Sequence, residues 1–331
     1  MAKPKDVAAA SKPTESRIKA VLSAVDEARR REDAKLARAR GATRARIQSQ
    51  AEKLLNPYWK KTGLDVASFK KLQAQAQADM RRAAEDQKSD AIKRSSAIGE
   101  RLRYGVESWT RTIERFRPPN PALVSGFVPV FAEVTTPFII WPTNGLELED
   151  SHIEPRNNWA KITGQSTASS GNENLRFIFV WDNPNDTFAA VNVASFLSLN
   201  GSCEASADGG TAGIFPGGTS HLQLQAFLNV WQWWEQPPIQ AFPEATQRRD
   251  VLNLSADGGG WFGSVGDIEV RPVSGNFDVT YTLFVLPPHG VAVFEVTLLV
   301  SYQNDDGRIA LDFSSGGFEV RCPEVAIAIL T

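Results

Sequence analysis

The chain contains very little cysteine and histidine. Two cysteines, Cys203 and Cys322, and three histidines occur among its 331 residues. Two cysteines cannot form a disulfide framework and neither belongs to a CxxC pair, so ordinary thiols are expected. His152, His221 and His289 show neither HExxH nor HxH spacing and have no cysteine ligand nearby. The sequence therefore predicts no metal site.

Motifs of catalysis and nucleotide binding are missing as well. The chain has no GxSxG elbow, no GxxxxGK[ST] loop and no GxGxxG turn between a strand and a helix. Paired acids such as Glu147 and Glu149 are typical of exposed strands, although two acids distant in sequence can still meet in a glycosidase site. We expect a protein that is not an enzyme, with no catalytic residue and no cofactor.

Long apolar runs are absent too. No window approaches 18 uncharged apolar residues, and the first residues lack the apolar core of a secretory signal. These absences predict a cytoplasmic protein without a membrane partner, or a component of a larger particle that is released without Sec export.

The charge of the chain is divided unevenly. The formal net charge is -2, but residues 1–117 hold 28 Lys+Arg and 15 Asp+Glu, whereas residues 118–331 hold 8 and 23. The first part therefore carries +13 and the second -15. Two regions with complementary electrostatic fields are expected, which favours contacts between copies of the chain.

Strong helix formers dominate residues 14–117, after a tail at 1–13 that we expect to be disordered. Proline and glycine fall together at 56–64, so the sequence predicts two helices, at about 15–55 and 66–116, with a break between them. At 1.5 Å per residue the helices would be about 60 and 75 Å long. The region is interpreted as a basic two-helix rod.

A narrow, alanine-rich apolar stripe follows these helices at a mean spacing near 3.6, with several members 11 residues apart. So thin a stripe does not stabilise an isolated helix. It predicts burial against the other helix in a hairpin, or against other chains in a coiled coil. The candidate oligomerisation residues are Val25, Leu36, Ile47, Phe69, Met80, Leu102, Trp109 and Ile113.

Basic runs occur at 29–31, 35–46 and 81–82. Clustered cations are typical of an arm that binds phosphates, and such binding weakens steeply with salt. Acidic residues are interleaved at helical spacing, however, and they favour a solvated helix face over a nucleic-acid interface.

A proline-rich linker at 118–122 is followed by an acidic, tryptophan-rich region, 123–331, in which short Val, Ile, Phe and Thr runs alternate with turns. In the stretch 219–233 alternate residues, Leu222, Leu224, Ala226, Leu228 and Val230, share one strand face, and His221, Gln223, Gln225, Phe227, Asn229, Trp231 and Trp233 share the other. The candidate strands are 123–131, 134–141, 158–163, 174–181, 187–199, 219–233, 250–255, 266–273, 276–286, 291–302 and 317–330. The predicted fold class is α+β multidomain, a long-helix hairpin or coiled-coil rod followed by an antiparallel sandwich of the jelly-roll type.

Two features of this region stand out. The pentapeptide Ser-Ala-Asp-Gly-Gly occurs at 206–210 and again at 255–259, and one acid per copy suits a tight loop better than a calcium site. Trp231, Trp233 and Trp234 lie together at the end of a predicted strand. They are candidates for stacking on a glycan or anchoring a protein partner, and the alternative is ordinary packing in a large sandwich.

These patterns give three hypotheses for function. The first is a self-assembling structural or attachment protein, with a helical stalk for homo-oligomerisation and a sandwich head, whose partners are itself and other assembly proteins. The alternative is a lectin-like sandwich presented multivalently by the helices. The second alternative is a coat-like protein with a basic arm for nucleic acid.

Overall fold

The computed structural model describes residues 14–24, 26–27, 30–31, 34, 61, 66–116, 130–209, 217–233, 239–240, 248–259 and 266–330. Helix α1 comprises the helical residues 15–24, 26–27, 30–31 and 34, and helix α2 is Val66–Phe116. The strands are β1 Val130–Val134, β2 Ile139–Pro142, β3 Leu146–His152, β4 Trp159–Ser166, β5 Ser170–Asp182, β6 Ala189–Ala207, β7 Thr219–Trp233, β8 Ile239–Gln240, β9 Arg249–Asp257, β10 Asp267–Leu286, β11 Val291–Asp305, β12 Gly307–Phe313, β13 Glu319–Arg321 and β14 Val325–Leu330.

The strands form two antiparallel sheets. The larger, eight-stranded sheet is organised around β6, which pairs with β10 along one edge and with β14, β13 and β12 in turn along the other. The smaller, six-stranded sheet has the order β2-β5-β11-β7-β8, with β9 also paired to β7. The inner faces of the two sheets share one hydrophobic core, so the predicted β-sandwich is confirmed.

Strand β7 shows how the sequence pattern builds this core. Its bounds match the predicted strand, and its alternate residues Leu222, Leu224, Ala226, Leu228 and Val230 are all fully buried. Because successive strand side chains point to opposite faces, the intervening residues lie on the outer face of the smaller sheet. The outer face of this sheet is where the candidate site lies.

The helices do not form a rod. Helix α2 packs on the outer face of the larger sheet, against β6 and β10, and α1 packs on the outer face of the smaller sheet. The predicted fold class, an α+β multidomain chain with a long-helix hairpin or coiled-coil rod, is therefore wrong. The described residues instead form a mostly β structure of two antiparallel sheets, in which each helix buries its narrow stripe against a sheet.

Small side chains allow α2 to approach the sheet closely. Ala84, Ala91, Ser95 and Gly99 are buried along one side of the helix. The Ser95 carbonyl accepts a hydrogen bond from Asn200 Nδ2 at 2.9 Å, and the Ser95 hydroxyl accepts one from the Gly317 amide at 2.9 Å. The alanine-rich stripe that suggested helix–helix packing thus serves helix–sheet packing.

An ion pair at Asp312 adds to this docking. Lys88 Nζ lies 2.9 Å from Asp312 Oδ2, and the carboxylate also accepts hydrogen bonds from Ser314 and Ser315. Burial alone would raise the pKa of Asp312, but these hydrogen bonds lower it to about 2. The carboxylate is therefore more stable in the folded chain than in the unfolded chain.

We expect this difference to appear as acid sensitivity. Because the folded pKa is depressed, the stabilisation is present at neutral pH and is lost as the pH falls from about 4 to about 2. In urea unfolding at pH 7, Asp312→Asn should have a free energy of unfolding about 2 kcal/mol below that of the parent. Between pH 7 and pH 2.5 this free energy should fall less in the variant than in the parent. The exposed Asp278→Asn is the matched control. Equal acid sensitivity of parent and Asp312→Asn would contradict the expectation.

Most candidate oligomerisation residues remain untested. Met80 and Leu102 are half-buried on α2. The side chains of Phe69, Trp109 and Ile113 lie outside the described part of the structure, as do Val25, Leu36 and Ile47. The tail at 1–13 and the linker at 118–122 also lie outside it, and of the predicted break at 56–64 only Lys61 is described, as a helical residue.

Several strand predictions differ in their limits. The predicted strands 266–273 and 276–286 are one strand, β10, because the ladder to β6 continues through Ser274 and Gly275. The predicted strand 317–330 is interrupted at Pro323, between β13 and β14. Strands β3, β8 and β12 were not predicted; the segment of β3 is rich in acids, with Glu147, Glu149 and Asp150.

Each repeated pentapeptide lies where a strand ends: Ser206 and Ala207 are the last residues of β6, Ser255 to Asp257 are the last residues of β9, and Gly210 lies outside the described residues. Asp208 follows β6 and Gly258 follows β9. Backbone hydrogen bonds join the two regions: Gly258 N donates to Gly218 O at 2.9 Å, and Gly218 N donates to Asp208 O at 2.7 Å. No group of three or more His, Cys, Asp or Glu among the described residues could hold a metal ion. None of the described helical segments is both long and apolar enough to cross a bilayer.

Candidate functional site

One half of the outer face of the smaller sheet carries a regular array of polar side chains. Asn172, Ser301, Gln223 and Asn253 are register neighbours on β5, β11, β7 and β9. Two residues further along each strand, Ser170, Gln303, His221 and Ser255 form a second row. We call these eight residues the polar platform.

The platform has the dimensions of a binding surface. Neighbouring strands lie about 4.8 Å apart and alternate residues about 7 Å apart, so the rows span about 14 Å across the sheet. All but Ser255 line an open cleft of about 480 Å³. Because the side chains project from four hydrogen-bonded strands, their positions are fixed by the sheet and not by loops.

Neighbouring groups orient part of the platform. Ser301 Oγ donates to Asn172 Oδ1 at 2.7 Å, which turns the Asn172 amide so that its NH₂ is left for other acceptors. Asp250 accepts hydrogen bonds from Gln223 at 3.4 Å and Gln225 at 2.7 Å. The side chains of His221, Asn253 and Gln303 make no hydrogen bond to other described residues. The platform therefore offers donors and acceptors without a lysine, arginine or carboxylate among its eight residues.

Helix α1 covers the other half of the same face. Its buried residues Ile18 and Leu22 pack on Ile139, Ile178 and Val293, beside the half-buried Trp231. Full burial of two such side chains contributes roughly 3–6 kcal/mol. Ordering the backbone of ten residues costs roughly 10–20 kcal/mol, so these two side chains alone do not hold α1, and further interactions such as the pair between Asp26 and Arg176 are needed.

A buried group of charges lies beneath α1. Arg176 on β5 contacts Asp26 of α1, with Nη2 to Oδ1 at 2.7 Å and Nη1 to Oδ2 at 3.0 Å, and its Nε lies 2.8 Å from Glu295 Oε1 on β11. Burial alone would lower the pKa of Arg176, but the hydrogen bond to Asp26 and the charges of both carboxylates raise it above its usual value. Trp231 Nε1 donates to Glu295 Oε2 at 2.9 Å.

Of the three tryptophans predicted to contact a partner or glycan, the structure describes the surroundings of Trp231. Trp231 is half-buried next to α1 and is held by Glu295. Trp233 belongs to β7 but its side chain is outside the described part of the structure, and Trp234 is wholly outside it. The polar platform was missed, although the alternation His221-Leu222-Gln223 placed two of its members on one face of a predicted strand.

Both cysteines are free and buried. Burial raises the pKa of the Cys203 thiol well above its usual value and that of Cys322 to about 12. The two sulfur atoms are therefore protonated at neutral pH and act as small core side chains.

Comparisons with known proteins give only distant likenesses. No family model and no curated protein matches the chain. The mannan-recognising carbohydrate-binding module TmCBM27 is 12% identical, over 62% of this chain and 99% of that chain, with a TM-score of 0.23. TmCBM61, in complex with β-1,4-galactotriose, is 9% identical over 52% and 86%, with a TM-score of 0.18.

A third similar structure is the enzymatically active domain of tailspike protein 4 of bacteriophage CBA120. It is 7% identical with a TM-score of 0.20, and the match covers 61% of this chain but only 19% of the tailspike chain. All three TM-scores lie far below 0.5, so these likenesses carry no argument about function.

Proposed function

We propose that this chain is a carbohydrate-binding β-sandwich whose polar platform holds a neutral oligosaccharide. The observation that carries the proposal is the platform itself, eight polar, non-acidic side chains in two register rows over an open cleft. Among the described residues the helical stalk of the first hypothesis has no counterpart, because both helices lie on the sandwich.

The chemistry of the platform suits sugar hydroxyl groups. A hydroxyl both donates and accepts, and an amide presents a donor and an acceptor side by side. Asn172, Gln223, Asn253 and Gln303 supply four amides. Because these amides project from rigid strands, little backbone entropy is lost when a ligand binds.

Charge favours a neutral ligand. The region 118–331 carries 8 Lys+Arg against 23 Asp+Glu, so its field repels acidic polymers such as nucleic acid. Of the three basic runs that suggested the coat-like alternative, the longest, 35–46, lies outside the described residues. A neutral oligosaccharide forms no ion pairs with the protein, so its binding should depend little on salt.

A glycan array followed by calorimetry tests the proposal. We expect the chain to bind a neutral oligosaccharide with favourable enthalpy, and Gln223→Ala and Asn253→Ala each to raise the Kd about fivefold, since each loses about 1 kcal/mol of hydrogen bonding. Asn276→Ala, an exposed amide on β10 of the other sheet, is the matched control and should bind like the parent. A silent array, or a platform variant that binds as well as the control, would overturn the proposal.

A further inference from the structure

We infer that α1 is a displaceable strap over an aromatic extension of the same binding face, and that its release lengthens the surface available to a glycan. The inference rests on the proposed function. It assigns to the half of the sheet under α1 the role of binding the part of a long glycan that extends beyond the polar platform.

The platform and the covered half are one continuous surface. The outward residues of β5 follow each other as Ser170, Asn172, Asn174, Arg176 and Ile178. The first two belong to the platform, and the last two lie under α1. A chain of sugar rings that follows this strand from the platform therefore meets α1.

An unpaired amide marks the junction between the two halves. Asn174 is 1% exposed, and neither its Nδ2 nor its Oδ1 has a hydrogen-bond partner among the described residues. Buried polar groups are nearly always hydrogen-bonded. A ligand that forms hydrogen bonds with an unpaired amide therefore binds more tightly. Asn174 lies next to Asn172 on the same face of β5, so it extends the row of amides towards α1.

The surface beneath α1 has groups that suit a sugar. Trp141 and Trp231 both border the apolar cluster formed by α1 and the smaller sheet. With α1 in place, the Trp141 indole N–H donates to Asp26 of α1 at 3.4 Å, and that of Trp231 donates to Glu295 of β11 at 2.9 Å. Only the bond of Trp231 remains when α1 leaves. An indole held by its N–H presents a flat apolar face, which stacks on the C–H face of a sugar ring.

The attachment of α1 is small enough to be reversible. Only Ile18, Leu22 and Asp26 are buried among its described residues. When α1 leaves, Arg176 keeps Glu295 as a partner and regains water, so no isolated charge is left in the core. The strap is thus held by a few contacts that a competing ligand can replace.

The test uses the full chain with Leu22→Asp, which places a charge in the contact between α1 and the sheet. The matched control is Ser23→Asp, which adds the same charge at the adjacent exposed position. Hydrogen–deuterium exchange of residues 15–24 reports whether α1 is displaced. The binding probes are a neutral hexasaccharide, cellohexaose or mannohexaose, and the corresponding disaccharide.

We expect Leu22→Asp to speed the exchange of α1 and to lower the Kd of the hexasaccharide about tenfold, with the disaccharide unchanged within twofold. Adding Trp231→Ala to Leu22→Asp should remove the gain, and Ser23→Asp should behave like the parent. If Leu22→Asp does not fold, Leu22→Ala replaces it, with an expected gain of about threefold.

The other outcomes separate the two proposals. Faster exchange of α1 without tighter hexasaccharide binding overturns the strap, while loss of binding in Gln223→Ala still supports the platform. Unchanged exchange in both Leu22 variants also overturns the strap. If neither the parent nor the variants bind any probe, the proposed function fails, and the inference that depends on it fails with it.

Discussion

Arg176→Met should lower the free energy of unfolding by about 3–5 kcal/mol, the largest effect that we expect from a single substitution. Arg176 is 2% exposed and is the cation for two buried carboxylates, Asp26 and Glu295. Removing it leaves two like charges facing each other away from water, which costs far more than the ion pair contributes while intact. Urea unfolding monitored by tryptophan fluorescence measures the loss.

The location of the loss can be checked as well. Because Asp26 belongs to α1, repulsion should displace this helix first, and exchange of residues 15–24 should speed up before the sandwich unfolds. Arg249→Met is the matched control, since Arg249 is half-exposed and lies 3.5 Å from an exposed Asp278. It should cost less than about 0.5 kcal/mol. If Arg176→Met and Arg249→Met lowered the free energy of unfolding equally, burial of the Arg176 group would not be the cause of the loss.

Gly258→Ala should be the second strongly destabilising substitution, with a loss of about 2–4 kcal/mol. A Cβ at Gly258 would lie 2.1 Å from the carbonyl oxygen of Asp208, and this atom belongs to backbone that is itself hydrogen-bonded to Gly218. The two repeated loops would have to separate, because no flexible side chain is available to move aside.

The neighbouring glycine supplies the control. Gly259 has a φ of 55°, but no atom of the described residues lies within 4 Å of a Cβ placed there. Gly259→Ala therefore adds only the cost of a left-handed alanine, about 1 kcal/mol. Thermal unfolding of the two variants compares a steric clash with a conformational cost in the same loop. A loss at Gly259 that equals the loss at Gly258 would contradict the packing argument.

The sandwich strands follow from local pattern, but the position of the helices does not. Strand β7 was predicted with its bounds and its buried face, because alternation of leucine with glutamine leaves one register in which the apolar side chains are covered. For α2, composition indicates a helix, and a stripe of Ala91, Ser95 and their neighbours indicates one buried side. Small side chains pack closely on a sheet as well as on a helix, so the sequence could not decide the partner.

The candidate site was harder to predict for a different reason. Asn172, Gln223, Asn253 and Ser301 come from four strands, and only the pairing register brings them into one row. The tryptophans drew attention because they are rare and cluster in sequence. Trp231 lies instead beside helix α1. This helix is bound to the sheet through Arg176, which is 55 residues before Trp231 in the sequence. Long-range pairing of this kind leaves no local signal.

The order in which the larger sheet is completed has a consequence for synthesis of the protein. Strand β6 ends at Ala207, yet the strands that cover one of its edges are found only at 307–330. While a ribosome makes the intervening residues, that edge has unpaired backbone groups that invite pairing with another nascent chain. Folding of this sandwich should therefore be late and largely post-translational. The yield of native protein should depend on the time between synthesis of β6 and synthesis of β12, β13 and β14.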